Sequence, residues 1–125
     1  MKAAAAALLV IATAGVLTAQ LQHEGNFVIR FEPKAVLQTG AAIPFRIEVT
    51  DDLHKPLIQA KVRLQIETAE HTDVRVFDAP AVSPGVYVAK PVFPDAGQWN
   101  VYVEVRRNDA VSARTIQYYV PEEAR

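Results

Sequence analysis

Short runs in which apolar and polar residues alternate follow one another along this chain, separated by turn residues and with no helical period between them. The predicted runs are Phe27–Glu32, Phe45–Thr50, Val62–Glu67, Val74–Phe77, Val86–Phe93, Trp99–Arg106 and Ser112–Val120. Such alternation places one face of each strand in a core and the other in solvent. Parallel strands need long crossover connections, for which the chain has no room. The pattern predicts an all-β fold, an antiparallel Ig-like β-sandwich of about seven strands.

The N-terminus has the layout of a secretory signal peptide. Lys2 is followed by an uncharged apolar stretch from Ala3 to Leu17, and the small residue Ala19 precedes Gln20. We expect cleavage after Ala19, although a leader kept as an anchor is the alternative. The apolar stretch is shorter than the roughly 20 residues that a spanning helix needs, and no later segment could span a bilayer. The predicted organisation is a signal peptide at 1–19, an N-terminal segment at 20–25, the sandwich at 26–120 and a tail at 121–125, in a periplasmic or secreted protein.

Charge and cysteine content restrict the function further. Removing Lys2 with the leader reduces the 13 Lys and Arg residues to 12, against 14 Asp and Glu. The basic residues are spread singly along the predicted strands, so a nucleic-acid surface is not expected. The chain has no cysteine, which excludes disulfides, a lipid anchor on cysteine and thiolate metal ligands. A chain of this length can form a single core by packing alone.

Three histidines are the candidate metal ligands. His71 is the strongest, because Glu70 and Asp73 flank it in a predicted loop with carboxylate oxygens. His54 and His23 could join it only if the fold brought their loops together, since no pair has local metal-site spacing. Trimming to Leu21 would place His23 third in the chain, where amine, amides and imidazole can hold Cu(II). Solvated loop histidines are the alternative interpretation.

No other polar group predicts catalysis. Asp51-Asp52, Glu122-Glu123, Ser83 and Ser112 fall in expected turns, ends and tails, without an imidazole nearby in sequence to activate them. The isolated glycines are expected at turns that need a positive φ. Tyr102, Tyr118 and Tyr119 could form an exposed aromatic patch, but cross-strand packing is the preferred interpretation.

Three segments carry a family resemblance. Residues 51–62 are similar to the stretch D-x-x-G-K-P-[VL]-x-x-A-x-V of bacterial exported Ig-like domains, with His54 in the place of its Gly. Gly85-Val86-Tyr87 and residues 93–101, with Asp95, Gly97 and Trp99, follow the G-x-Y and F-P-x-A-G-x-W-x-V patterns. The first stretch also occurs in macroglobulin-type and carboxypeptidase-regulatory-like domains. Together the three resemble the YtkA-like domain family, related to FixH-like proteins, over about residues 26–120.

The resemblance implies a function without catalysis. YtkA-like domains are exported sandwiches often found beside heavy-metal efflux, copper handling or terminal oxidase assembly. We therefore expect an accessory domain that docks to a partner protein, with a membrane protein as the candidate partner. Docking would use a loop end or an edge strand such as Ser112–Val120, and Gly85, Tyr87, Asp95, Gly97 and Trp99 would have structural roles. Copper binding through His71, His54 or His23 is the alternative, although the only methionine is Met1. A structural or adhesion module of an envelope assembly is the third possibility.

Overall fold

The structure, a computed structural model, describes residues 23–122 of the chain and confirms the predicted all-β architecture. The strands are β1 (His23–Glu24), β2 (Val28–Pro33), β3 (Phe45–Thr50), β4 (Lys61–Thr68), β5 (Val74–Asp78), β6 (Ala81–Ser83), β7 (Val86–Ala89), β8 (Gly97–Arg107) and β9 (Ala110–Val120). The predicted leader at 1–19 lies outside the described residues. Within them, no helix is long and apolar enough to cross a membrane.

Eight of the strands form two four-stranded antiparallel sheets, consistent with a β-sandwich. One sheet has the order β9-β8-β4-β5 and the other β2-β3-β7-β6. The two-residue strand β1 adds to the free side of β9 as a parallel strand, with His23 beside Ala110 and Glu24 beside Val111. The chain changes sheets between β5 and β6, so these two edge strands lie on the same side of the sandwich. Strands β2 and β9 lie on the other side.

Alternating residues from both sheets fill the space between them. Strand β3 buries Phe45, Ile47 and Val49, and β8 buries every second residue from Trp99 to Val105. The Phe45 ring lies at the centre of an aromatic group, with centroids 6.4 Å from Phe31, 6.3 Å from Phe93 and 5.6 Å from Tyr118. The core consists of apolar side chains, and the described residues contain no buried side-chain N or O atom without a hydrogen-bond partner.

All seven predicted runs contain strands, and the structure adds two that the pattern did not predict. Strands β1 and β6 have two and three residues, too few for an alternation to be recognised. The run predicted for Val86–Phe93 forms a ladder only as far as Ala89, because Pro91 has no N–H to donate. After it, Val92 makes a single bridge to Ala42.

Candidate functional site

Gly85 and Tyr87 hold the loop between β3 and β4 against the sandwich. Gly85 has a φ of 75°, and a Cβ on it would lie 2.7 Å from the Cβ of Pro56 in that loop. The Tyr87 hydroxyl, buried like the rest of its side chain, donates to the Leu57 carbonyl at 2.7 Å. Leu57 is itself buried and donates its N–H to the Val49 carbonyl. The G-x-Y segment thus has a structural explanation: glycine permits the close approach, and tyrosine satisfies a buried carbonyl.

Trp99 fixes the turn at the other end of the molecule. Its indole Nε1 donates to the Asp95 carbonyl at 2.9 Å, and its ring meets Phe93 edge-on with centroids 5.6 Å apart. Gly97 between them has a φ of 130°, which side chains rarely adopt. The segment therefore closes a turn over the aromatic part of the core.

His71 lies in the turn between β4 and β5 and contacts one carboxylate. Its imidazole Nδ1 is 2.5 Å from Glu67 Oε2, and its backbone N–H donates to the Thr68 carbonyl. Its side chain is 68% exposed. Asp73, which the sequence offered as a neighbour for His71, instead forms a two-point ion pair with Arg75 at 3.1 and 3.4 Å. Glu67, not Glu70 or Asp73, is the carboxylate at this imidazole.

The fold does not bring the three histidines together. The turn that holds His71 hydrogen-bonds to Gln98, at the start of β8. His54 lies in the loop that follows β3, and the backbone of His23 pairs beside Ala110, just after the end of β8. Strand β8 separates these ends by about 30 Å at about 3.3 Å per residue. His71 therefore cannot share a metal ion with the others, and the described residues contain no group of three His, Cys, Asp or Glu that could hold one.

Asp51 and Ser112, considered above as catalytic groups, serve the backbone. The carboxylate of Asp51 accepts the N–H of Leu53 at 2.8 Å and that of Lys55 at 3.0 Å, which closes the loop that carries His54. The Lys55 N–H is the main cause that lowers the pKa of Asp51, with a smaller contribution from the Leu53 N–H. Ser112 Oγ donates to the Gly25 carbonyl at 2.8 Å.

The tyrosines do not form one patch. Tyr118 points between the sheets onto Phe45, whereas Tyr119 on the same strand faces outward and is 59% exposed. Tyr102 lies in the middle of the outer face of its sheet, between Gln65 and Thr115 on the neighbouring strands. Its partial burial raises its pKa to about 12, with Glu104 contributing. This is cross-strand packing, as preferred from the sequence.

The side of the sandwich formed by β2 and β9 is closed by side chains and by β1. The Arg114 guanidinium points inward from β9 and donates to the Ile29 carbonyl of β2 at 2.9 Å. Ser112 Oγ bridges Gly25 and the Phe27 N–H, and the Gly25 N–H donates to Val111. An inward-pointing charge and a short added strand are two ways in which proteins protect sheet edges. The edge that the sequence analysis offered for docking, Ser112–Val120, is thus partly occupied.

The opposite side, formed by β5 and β6, carries three exposed valines. Val74 and Val76 lie on the outer face of β5 and are 51% and 52% exposed, and Val82 on β6 is 61% exposed. Within the described chain, β5 pairs only with β4 and β6 only with β7, so each strand has one free edge. The sequence analysis missed this surface, because alternation alone did not tell which face of Val74–Phe77 was outer.

A scan against family models finds no match to the chain. A search of curated proteins likewise finds no match to the chain. The function must therefore be argued from the surfaces described above.

Proposed function

We propose that this chain is an exported, non-catalytic Ig-like accessory domain of the YtkA-like type, which docks to a partner protein at the membrane or in the periplasm. Heavy-metal efflux and oxidase assembly are the settings that the resemblance suggests. One backbone angle supports the resemblance: His54, in the place of the motif's Gly, has a φ of 65°. Glycine is the residue that adopts this conformation without strain. The contacts of Gly85, Tyr87 and Trp99 give the other two segments structural roles that fit the same family.

The observation that carries the docking proposal is the contrast between the two sides of the sandwich. Arg114 and Ser112 bridge β9 to the segment that contains β2. On the other side, β5 offers a free ladder edge with two half-exposed valines at alternate positions. A strand edge of this kind binds an extended peptide through main-chain hydrogen bonds, while alternate side chains give selectivity.

The residues on β5 indicate which partner segment would fit. Val74 and Val76 favour apolar side chains at alternate positions of an added strand, since cross-strand neighbours on one face contact each other. Asp78 follows them on the same face and is exposed, so a basic residue opposite it would complement its charge. We therefore propose an extended partner segment with two alternating apolar residues and one basic residue beyond them.

Site-specific photo-crosslinking in the cells that produce the protein tests this docking. A photoreactive residue at Val76 should capture a partner, whereas one at Thr115, exposed on the outer face of the same sheet but next to the other edge, should not. A peptide covering the captured segment should then protect the amide hydrogens of β5 from exchange, because strand addition hydrogen-bonds them.

Val74→Lys, combined with the photoreactive residue at position 76, is the matched variant, because Val74 lies on the same exposed face of β5. A lysine on an exposed edge strand disfavours pairing without disturbing the core, so capture should be lost while unfolding stability is kept. Equal capture from both positions, or a bound peptide that leaves β5 exchange unchanged, would contradict strand addition. The identity of the captured protein also separates an accessory role from a structural or adhesion role, since these functions differ only in their partner.

Copper handling needs more donors than this structure gathers around His71. Glu67 is the carboxylate in contact with that imidazole, and a tight copper site takes three or four donors. We therefore titrate the 20–125 protein and its His71→Ala variant with Cu(II), and with Cu(I) under reducing conditions. We expect the metal to shift the melting temperature of both proteins by the same amount. A one-to-one complex tighter than micromolar that the variant loses would reverse this conclusion, because a ligand of the native state raises its stability.

A further inference from the structure

A polar groove on the outer face of the β2-β3 pair is not used by the docking proposed above. It has a volume of about 220 Å³. Strand β2 contributes Arg30, Phe31 and Glu32, β3 contributes Arg46 and Glu48, and β9 contributes Arg114. Three of its six lining residues are arginines, so guanidinium groups dominate its chemistry. The groove lies on the side of the sandwich opposite to β5 and β6.

The carboxylates of this groove are engaged along their own strands and not across them. In the β2-β3 ladder Arg30 lies opposite Glu48. Glu48 nevertheless pairs with Arg46, two residues before it on β3. Glu32, which lies opposite Arg46, pairs with Lys34 at 3.0 Å. Both carboxylates thus form ion pairs with residues other than Arg30.

Arg30 is consequently the guanidinium with unused hydrogen-bonding capacity. Its guanidinium makes no hydrogen bond or ion pair with any other residue that the structure describes. Arg114 uses its Nη1 on the Ile29 carbonyl, and Arg46 uses its Nη1 on Glu48. Each guanidinium has five N–H donors, so most donors of the three arginines are free for a ligand.

The charge of the lining selects a class of ligand. Three arginines against two glutamates leave a net formal charge of +1, which suits a single negative charge better than a double one. A guanidinium matches a carboxylate with two parallel hydrogen bonds, and such charge-assisted bonds are stronger than neutral ones. Because the groove is open to solvent and salt screens exposed charges, the affinity should be weak, in the millimolar range.

We propose that this groove binds a carboxylate group, with Arg30 as the principal ligand and with Arg46 and Arg114 as its neighbours. The carboxylate belongs either to a small organic acid or to an acidic side chain of a peptide. Both sources present the same planar, singly charged group to the same donors. This site is independent of the β5 edge, so the two proposals fail or succeed separately.

Side-chain NMR signals of the arginines test the proposal on the 20–125 protein. Sodium acetate and the blocked peptide acetyl-Gly-Glu-Gly-amide are titrated at constant ionic strength, with sodium chloride as the reference. We expect saturable shifts of the Arg30 signal, and smaller ones of Arg46 and Arg114. Saturation at lower concentration by the peptide assigns the site to a peptide side chain, and saturation by acetate at equal or lower concentration assigns it to a small acid.

Arg30→Gln and Arg63→Gln are the matched variants. Arg63 is a half-exposed arginine on the outer face of the other sheet, 3.9 Å from Glu104, and has no part in the groove. Arg30→Gln should weaken binding about tenfold, the loss expected for a bond to a charged group, and Arg63→Gln should leave it unchanged. Shifts that do not saturate, that chloride reproduces, or that survive Arg30→Gln in a folded protein would overturn the proposal. Tighter binding of dimethyl phosphate than of acetate would overturn the choice of carboxylate.

Discussion

Replacing Tyr87 with phenylalanine should destabilise the protein through one hydrogen bond. The Tyr87 hydroxyl donates to the Leu57 carbonyl at 2.7 Å, and the two residues are 2% and 1% exposed. Phenylalanine keeps the ring and its packing, but it leaves that carbonyl buried without a donor or water. Leaving a buried polar group unsatisfied costs about 1–3 kcal/mol. We expect the free energy of unfolding to fall by about 2 kcal/mol, and the melting temperature of a domain of this size by roughly 10 °C.

Urea unfolding followed by tryptophan fluorescence measures this loss. Trp99 is the single tryptophan and is buried, so its emission reports the folded state. The midpoint should fall while the slope with denaturant stays constant, because the surface exposed on unfolding hardly changes. Amide exchange in residues 51–57 should also accelerate, since the loop loses one of its attachments.

Tyr119→Phe is the control for this experiment. Tyr119 is 59% exposed, so its hydroxyl is accessible to water in both states and its removal should change stability by less than about 0.5 kcal/mol. If Tyr87→Phe and Tyr119→Phe had the same midpoint, the buried hydrogen bond would not stabilise the fold and our account of the G-x-Y segment would be refuted.

Substitutions at Gly85, His54 and Tyr102, with their controls, test the backbone and the charge of the sandwich. Gly85→Ala should lower the free energy of unfolding in urea by more than about 2 kcal/mol, since the added Cβ would lie 2.7 Å from the Cβ of Pro56. Gly40 has a similar φ of 78° but open space around it, so Gly40→Ala should lower that free energy by only about 1 kcal/mol. His54→Gly should stabilise the protein by up to about 1 kcal/mol by relieving the φ of 65°, and His54→Ala should not; equal melting temperatures would contradict this. Burial raises the pKa of Tyr102 to about 12, above its unfolded value, so its contribution to stability is complete below about pH 10 and is lost as the pH rises through 12. Alkaline unfolding curves of Tyr102→Phe should lack this loss, and identical curves would count against it.

The alternation of the sequence was sufficient to predict the core but not the edges of the sheets. Phe45, Ile47 and Val49 could be assigned to one face because polar residues separate them, and all three are buried. The order of strands depends on contacts between residues far apart in sequence. Arg114 is an example: the sequence places it in a predicted strand, but only the fold shows that its guanidinium reaches the Ile29 carbonyl.

The candidate site was harder to predict than the core for a related reason. The sequence indicates Glu70 and Asp73 as the carboxylates near His71, but the turn between β4 and β5 brings Glu67 into contact with its imidazole. Across a turn, the side chains of residues four apart can contact each other when those of nearer residues point away. The alternation of apolar and polar residues gives no information about such turn geometry. The groove around Arg30 could not be predicted from the sequence, because its arginines come from three strands and β9 is distant in sequence from β2 and β3.

The inequality of the two sides limits how such a domain can take part in an assembly. Sheets that offer a free edge on both sides can grow without end, which is the geometry of fibres. Here β1, Ser112 and Arg114 close one side, and the valines of β5 leave the other available. A molecule built this way would add to a partner strand through β5, and its partly occupied β9 edge disfavours the addition of a further strand there.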